Sequence, residues 1–200
     1  MTAVVDRRLE VILSRRSIAS LTEPAPEGAE LDGILAAATT VPDHGSLKPW
    51  RFVVVRGAGR VAFGEALAAA AAHHVADLPE AAQEKLRKKA FLAPLLVAVI
   101  ASPQPSPKVP EWEQVASASC CGYAIALAAH ALGFGAVWKS ANYLSGPSLT
   151  DVFGLADTER LLGWVAIGTP VKDDPRPPNE PVAAPHAAIL DGPALRPYSG

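Results

Sequence analysis

Three short stretches of this 200-residue chain combine cations, hydroxyls and aromatics in a way that suits an anionic ligand. Arg15-Arg16-Ser17 places two guanidinium groups and a hydroxyl within three residues, about ten N–H donors in a compact, phosphate-shaped set. The same residues also make sense as a solvated basic turn that complements a helix C-terminus. Pro42-Asp43-His44-Gly45-Ser46-Leu47-Lys48-Pro49-Trp50 is polar and pinned by proline at both ends, rigid enough to present side chains to a ligand. It serves equally well as a helix-to-strand connection anchored by Trp50. Trp138-Lys139-Ser140 repeats the first cluster's cation and hydroxyl beside a large aromatic. Its alternative is a strand with the lysine facing out and the tryptophan packed inward.

Other chemistries find less support. Gly57-Ala58-Gly59-Arg60-Val61-Ala62 fits the loose dinucleotide fingerprint GxGxxA. However, the acidic residue at the required distance, Asp77, falls at a helix end rather than at the end of a second strand, so a Gly-rich turn opening a helix is expected. His73 and His74 are adjacent and diverge on a helix, no HExxH is present, and no metal site is expected. There is no GxSxG elbow or Walker loop. Lys85, Arg87, Lys88 and Lys89 read as the wet face of a charged helix. A net charge of -2 provides no broad positive field, which argues against nucleic acid. Cys120 and Cys121, adjacent in an apolar run, read as small core residues in a reducing cytosol. The charged start, Asp6-Arg7-Arg8, interrupts any signal-peptide core, so a cytoplasmic protein is expected.

Positioning these clusters requires a framework, and hydrophobic periodicity supplies one. Helices are expected over Val4 to Ser14, around Leu31 to Ala38 with Pro42 as the stop, over Gly57 to Asp77, over Glu80 to Lys89, over Glu111 to about Leu132, and from Ser145-Gly-Pro-Ser to Phe153. Strands are expected at Trp50 to Arg56, Leu95 to Ala101, Ala136 to Ser140 and Leu161 to Ile167. Val115 to Trp138 contains no Asp, Glu, Lys or Arg, yet it is rich in Ala, Ser and Gly and breaks at Gly133. A helix buried in a core or dimer interface suits it better than a membrane span. Seven of the nineteen prolines lie between Val171 and Gly200, so an irregular arm is expected there, after a domain covering residues 1–170.

Taken in order, R-R-S after the first helix, P-D-H-x-S-x-x-P-W before the first strand, a long uncharged helix, G-F-G-x-x-W-K-S and a last strand ending G-T-P resemble the compact bacterial branch of the NAD(P)H nitroreductase family over about residues 7–170. The resemblance implies an α+β, nitroreductase-like three-layer fold whose mainly antiparallel sheet is flanked by helices, in an intertwined homodimer with its active sites at the subunit interface and one FMN in each. It further implies that Arg15, Arg16 and Ser17 grip FMN, that Thr40, His44 and Ser46 reach the flavin from the other subunit, and that Trp138, Lys139 and Ser140 complete the phosphate side. Ala128, Ala129, His130, Ala131, Leu132 and Gly133 correspond to a stretch assigned to NAD(P) binding, although a helix C-terminus suits a pyrophosphate poorly.

The implied activity carries two electrons from NADH or NADPH, by a ping-pong mechanism, to a nitroaromatic, a quinone or a similar small-molecule oxidant. No catalytic side chain is required, because the flavin is the redox centre. This chain departs from the pattern at Ala19, where relatives often have Lys or Arg, at Lys139, where close relatives have Arg, and at Thr40 and Lys48. Ala19 and Lys139 motivate an alternative, a non-catalytic FMN-binding or flavin-delivery protein.

Overall fold

In a computed structural model, residues 9–172 and 186–198 are described. The chain divides into two compact units, Arg16–Asp174 and a smaller one made of Met1–Arg15 with Pro175–Gly200.

The larger unit is built on an antiparallel sheet. β2 (Trp50–Arg56) pairs with β3 (Leu95–Ala101), β3 with β5 (Arg160–Pro170), and β5 with β4 (Gly135–Lys139), each pair antiparallel. A two-residue strand, β1 (Leu21–Thr22), lies against the end of β5. β3 is the central run, and all seven of its residues are buried. Its unbroken apolar sequence, LLVAVIA, follows from having helices over both faces of the sheet.

Side-chain alternation sorts the core into two layers. On one face Leu96, Ala98, Ile100, Val137, Trp164 and Ala166 pack with Phe63 and Leu67 of α3 (Gly59–His74), Ala90 just after α4 (Glu80–Lys89) and Leu149 of α6 (Pro147–Phe153). On the other, Val97, Val99, Ala136, Val165 and Ile167 pack with Ile34 and Ala38 of α2 (Ala29–Ala38) and Cys121, Ile125 and Ala129 of α5 (Glu111–Ala131). The expected α+β fold with a helix-flanked antiparallel sheet is therefore observed. Antiparallel pairing of β2 with β3 also removes the parallel βαβ unit that a dinucleotide fingerprint needs. Gly57 to Ala62 is a turn into α3, as expected.

Several boundaries differ from expectation. α2 ends at Ala38, before Pro42, where Thr39 and Thr40 turn their hydroxyls back onto the carbonyls of Ala36 and Ala37. β5 runs on through Gly168-Thr169-Pro170, because β1 and the start of β4 supply partners that periodicity within β5 cannot reveal. Among the described residues no helix is long and apolar enough to cross a membrane.

In the smaller unit the described helix α1 covers Glu10–Ser14, and residues 4–8 of the expected first helix lie outside the described residues. The arm is not wholly irregular. Ala188–Ile189 and Arg196–Pro197 form a minimal antiparallel ladder, β6 and β7, and Asp191 pairs with Arg196 across their turn. A two-residue ladder is too short to leave a hydrophobic period in the sequence.

Candidate functional site

The expected site residues fall on three supports. The first is the outer edge of β4. Ser17 forms a parallel bridge to Ala136, and the Ile18 amide donates to the Ala136 carbonyl at 3.0 Å, so the Arg16-Ser17 segment runs along the strand that carries Trp138 and Lys139. This approach depends on Gly135. A β-carbon there would stand 2.6 Å from Leu21 Cδ2 and 3.1 Å from Pro170 Cγ. Arg16 is half-buried and Ser17 exposed. Arg15 belongs to the smaller unit, where it follows α1 in extended conformation and is half-buried.

Alternation along β4 separates Trp138 from Lys139. Trp138 joins the α2 and α5 layer, and its ring occupies a notch made by two glycines. A β-carbon on Gly122 of α5 would lie 1.1 Å from Trp138 Cζ3, and one on Gly163 of β5 would lie 3.1 Å from Trp138 Nε1. Gly163 has φ +147°, beside a register shift in the β3–β5 ladder, which glycine adopts without steric cost. Trp138 is thus an inward anchor that fixes the strand end presenting Lys139 and Ser140.

Lys139 is half-buried, and among the described residues it makes no ion pair with a carboxylate. Next to it stands a residue that sequence reasoning assigned elsewhere. Lys89, at the last turn of α4, is not on a wet face: it is half-buried and donates to the Ser140 carbonyl at 3.0 Å. Burial, and then the charge of Lys139, push its pKa below the ordinary lysine value. Its neighbour Arg87 is also half-buried rather than wet, gripping Glu65 at 2.9 Å and Glu80 at 2.6 Å.

The second support is the loop after α2. Asp43 clamps it by accepting from the Leu47 and Lys48 amides at 3.2 and 2.7 Å, and the Ser117 hydroxyl of α5 donates to the Pro42 carbonyl. Three residues adopt left-handed backbone, Gly45 (φ +76°), Ser46 (φ +54°) and Lys48 (φ +50°). Two of them pay the steric cost of a β-carbon there, which the clamp offsets. The Asp43 and Ser117 hydrogen bonds hold the loop between Pro42 and Pro49. It exposes Thr40, His44 and Ser46, and His44 Nδ1 lies 3.2 Å from both carboxylate oxygens of Glu113 on α5. An ionised carboxylate only accepts, so the proton sits on Nδ1 and Nε2 is left for other partners. Glu113 is 69 residues from His44 in sequence, and no local signal links the two.

The third support is the C-terminal end of α5. The amides of Leu132, Gly133 and Phe134 donate to the carbonyls of Ala128, His130 and Ala129 at 2.9 to 3.1 Å, and Gly133 takes φ +86°. These amides are consumed in closing the helix. Ala128 and His130 are half-buried, Ala129 is buried, and Ala131, Leu132 and Gly133 are exposed.

The edge of β4 therefore offers cations and hydroxyls, and the loop offers an imidazole and two further hydroxyls, a donor set that fits a phosphate ester bearing polar substituents. No group of His, Cys, Asp or Glu that could hold a metal ion occurs among the described residues. Cys121 is buried and its thiol is pushed up to about 12, chiefly by burial, leaving it a core residue rather than a nucleophile.

The model of the nitroreductase family matches residues 12–169. The chain is 40% identical over 162 residues to Putative NAD(P)H nitroreductase YdjA of Escherichia coli (strain K12), a match covering 81% of this chain and 87% of that protein. Among solved structures, a nitroreductase-like family protein from Bacillus cereus superposes with a TM-score of 0.76 at 23% identity, covering 96% of this chain and 100% of the other. A nitroreductase with bound FMN from Bacteroides fragilis NCTC 9343 does so with a TM-score of 0.70 at 22% identity, covering 94% and 100%. With both its sequence and its fold matched across nearly the whole larger unit, the chain belongs to the nitroreductase family.

Proposed function

We propose that this protein is an FMN-dependent oxidoreductase that passes two electrons from NAD(P)H to nitroaromatics, quinones or similar acceptors. The carrying observation is the bridge from Ser17 to Ala136, which brings Arg16 and Ser17 to the strand that ends at Lys139. Two relatives bear directly on the cofactor, one named for NAD(P)H and one solved with FMN. FMN, when bound, supplies the redox chemistry, accepting hydride from the nicotinamide and returning two electrons to the oxidant.

The residues of the chain hold, orient and polarise. Arg15, Ser17, Lys139 and Ser140 would hold the phosphate and ribityl side, with Trp138 as the anchor that fixes the strand end. Thr40, His44 and Ser46 of a second copy reach the ring, with His44 oriented by Glu113. Arg16, beside Arg15 and Ser17, would supply the positive charge that Ala19 does not when the flavin is bound. The α5 C-terminus, its amides already bonded, presents the methyl and isobutyl groups of Ala131 and Leu132 to a nicotinamide nucleotide rather than donors to its pyrophosphate. Donor and acceptor are expected to use one slot beside the flavin in turn, which would make the kinetics ping-pong.

The decisive experiment is anaerobic addition of NADH or NADPH to the FMN-loaded protein. Bleaching of the flavin absorbance, followed by its return on adding a nitroarene or quinone, is expected. Flavin that binds but is not bleached by either nucleotide would overturn the enzymatic reading in favour of a flavin carrier.

A further inference from the structure

We propose that Lys89, from the end of α4, is a second cationic ligand for the phosphate of the flavin nucleotide, forming with Lys139 a two-lysine cradle at the edge of β4. The inference rests on the reading of that edge as the phosphate side of an FMN site, and it adds a residue from an element outside every motif that supports that reading.

Within α4 the charges divide by face. Arg87 is neutralised by Glu65, Glu80 and Glu84, and Lys88 by Glu84. Lys89 turns the other way, to the β4 edge, where its ammonium meets the Ser140 carbonyl at 3.0 Å. The Ser140 carbonyl it meets belongs to the residue next to Lys139, and burial together with the charge of Lys139 lowers the affinity of Lys89 for a proton. Among the described residues neither lysine has a carboxylate partner. Two half-buried ammonium groups within electrostatic reach and without a counter-charge repel each other, and an anion between them reverses the sign of that interaction. A phosphate monoester carries between one and a half and two negative charges at neutral pH and has three terminal oxygens, so it can take both lysines at once. An arginine presents two parallel donors from one side chain. Two lysines on different elements can reproduce that two-point grip, each acting as a point charge.

The test is titration of the flavin-free protein with FMN and with riboflavin, which lacks the phosphate, followed by flavin fluorescence. Lys89→Gln can still donate to the Ser140 carbonyl but carries no charge, and Lys89→Arg keeps the charge. Lys89→Gln is expected to weaken FMN binding about tenfold or more, leave riboflavin binding unchanged, and reduce the salt dependence of FMN binding, while Lys89→Arg recovers most of the loss. An unchanged FMN affinity in Lys89→Gln, or an equal loss for FMN and riboflavin, would overturn the assignment of Lys89. Failure of the unsubstituted protein to prefer FMN over riboflavin would instead sink the phosphate-site reading on which it stands.

Discussion

At the scale of single residues, Arg51 and Glu159 form a largely buried ion pair outside the candidate site residues. Glu159 accepts from Arg51 Nε and Nη2, both at 2.7 Å, from the Ser102 hydroxyl and from the Ala156 amide, which pulls its pKa from 4.5 to about 2. A carboxylate with a depressed folded pKa stabilises fully above its unfolded value and loses that contribution as protons bind. The contribution of Glu159 is therefore complete above pH 4.5 and lost between pH 4.5 and about 2. Glu159→Gln is expected to cost about 2 kcal/mol at neutral pH and to flatten the acid limb of the stability curve, measured by urea unfolding from pH 2 to 7. An acid limb unchanged in the variant would refute this account. None of this is legible locally, since Arg51 and Glu159 stand 108 residues apart. The same applies to His44 and Glu113: the sequence marks His44 as a candidate, but only packing of the loop on α5 supplies the carboxylate that sets its tautomer.

At the scale of elements, periodicity was a good guide where an element buries a full face. β2, β3 and α4 begin and end at the residues expected from sequence, because Trp50 to Arg56, Leu95 to Ala101 and Glu80 to Lys89 carry their own patterns. It failed where the reason for a residue lies on a neighbouring element. Gly122 looks like a weak point in α5, since glycine costs a helix about 1 kcal/mol relative to alanine. Its absent side chain is what admits the Trp138 ring. Gly122→Ala is therefore expected to destabilise the protein by about 2 kcal/mol despite its better helix propensity, because the indole must leave its notch. A lower melting temperature with red-shifted tryptophan emission would show this, whereas a melting temperature raised by the substitution would refute it. Lys89 is the counterpart on α4. Its residue type and spacing match the wet face of the helix, and only the packing of α4 in the folded unit brings it to Ser140.

At the scale of the whole molecule, the outer face of α5 is the candidate surface for a second copy. Its inner face, Ala118, Cys121, Ile125 and Ala129, is buried against the sheet, while Trp112 at 71% and Tyr123 at 49% exposure lie on an outer stripe with Ala116, Ser119 and Cys120. Helical spacing of three and four puts these on one surface, and burying it in a second copy would remove it from water. Light scattering at micromolar concentration is expected to show a dimer, with Tyr123→Asp shifting it towards monomer. A monomeric unsubstituted protein would refute both the dimer and a flavin site shared between copies. What the sequence determined by itself was most element boundaries, which follow from local periodicity, and the family, which follows from ordered short motifs and through that resemblance implied the α+β class. What only the tertiary structure decided was the partner of each charged group and the face each candidate presents. Sequence spacing carries no information about which residues of another element lie opposite, and pairings such as Lys89 with Ser140 or Trp138 with Gly122 form only when helix and strand meet across the core.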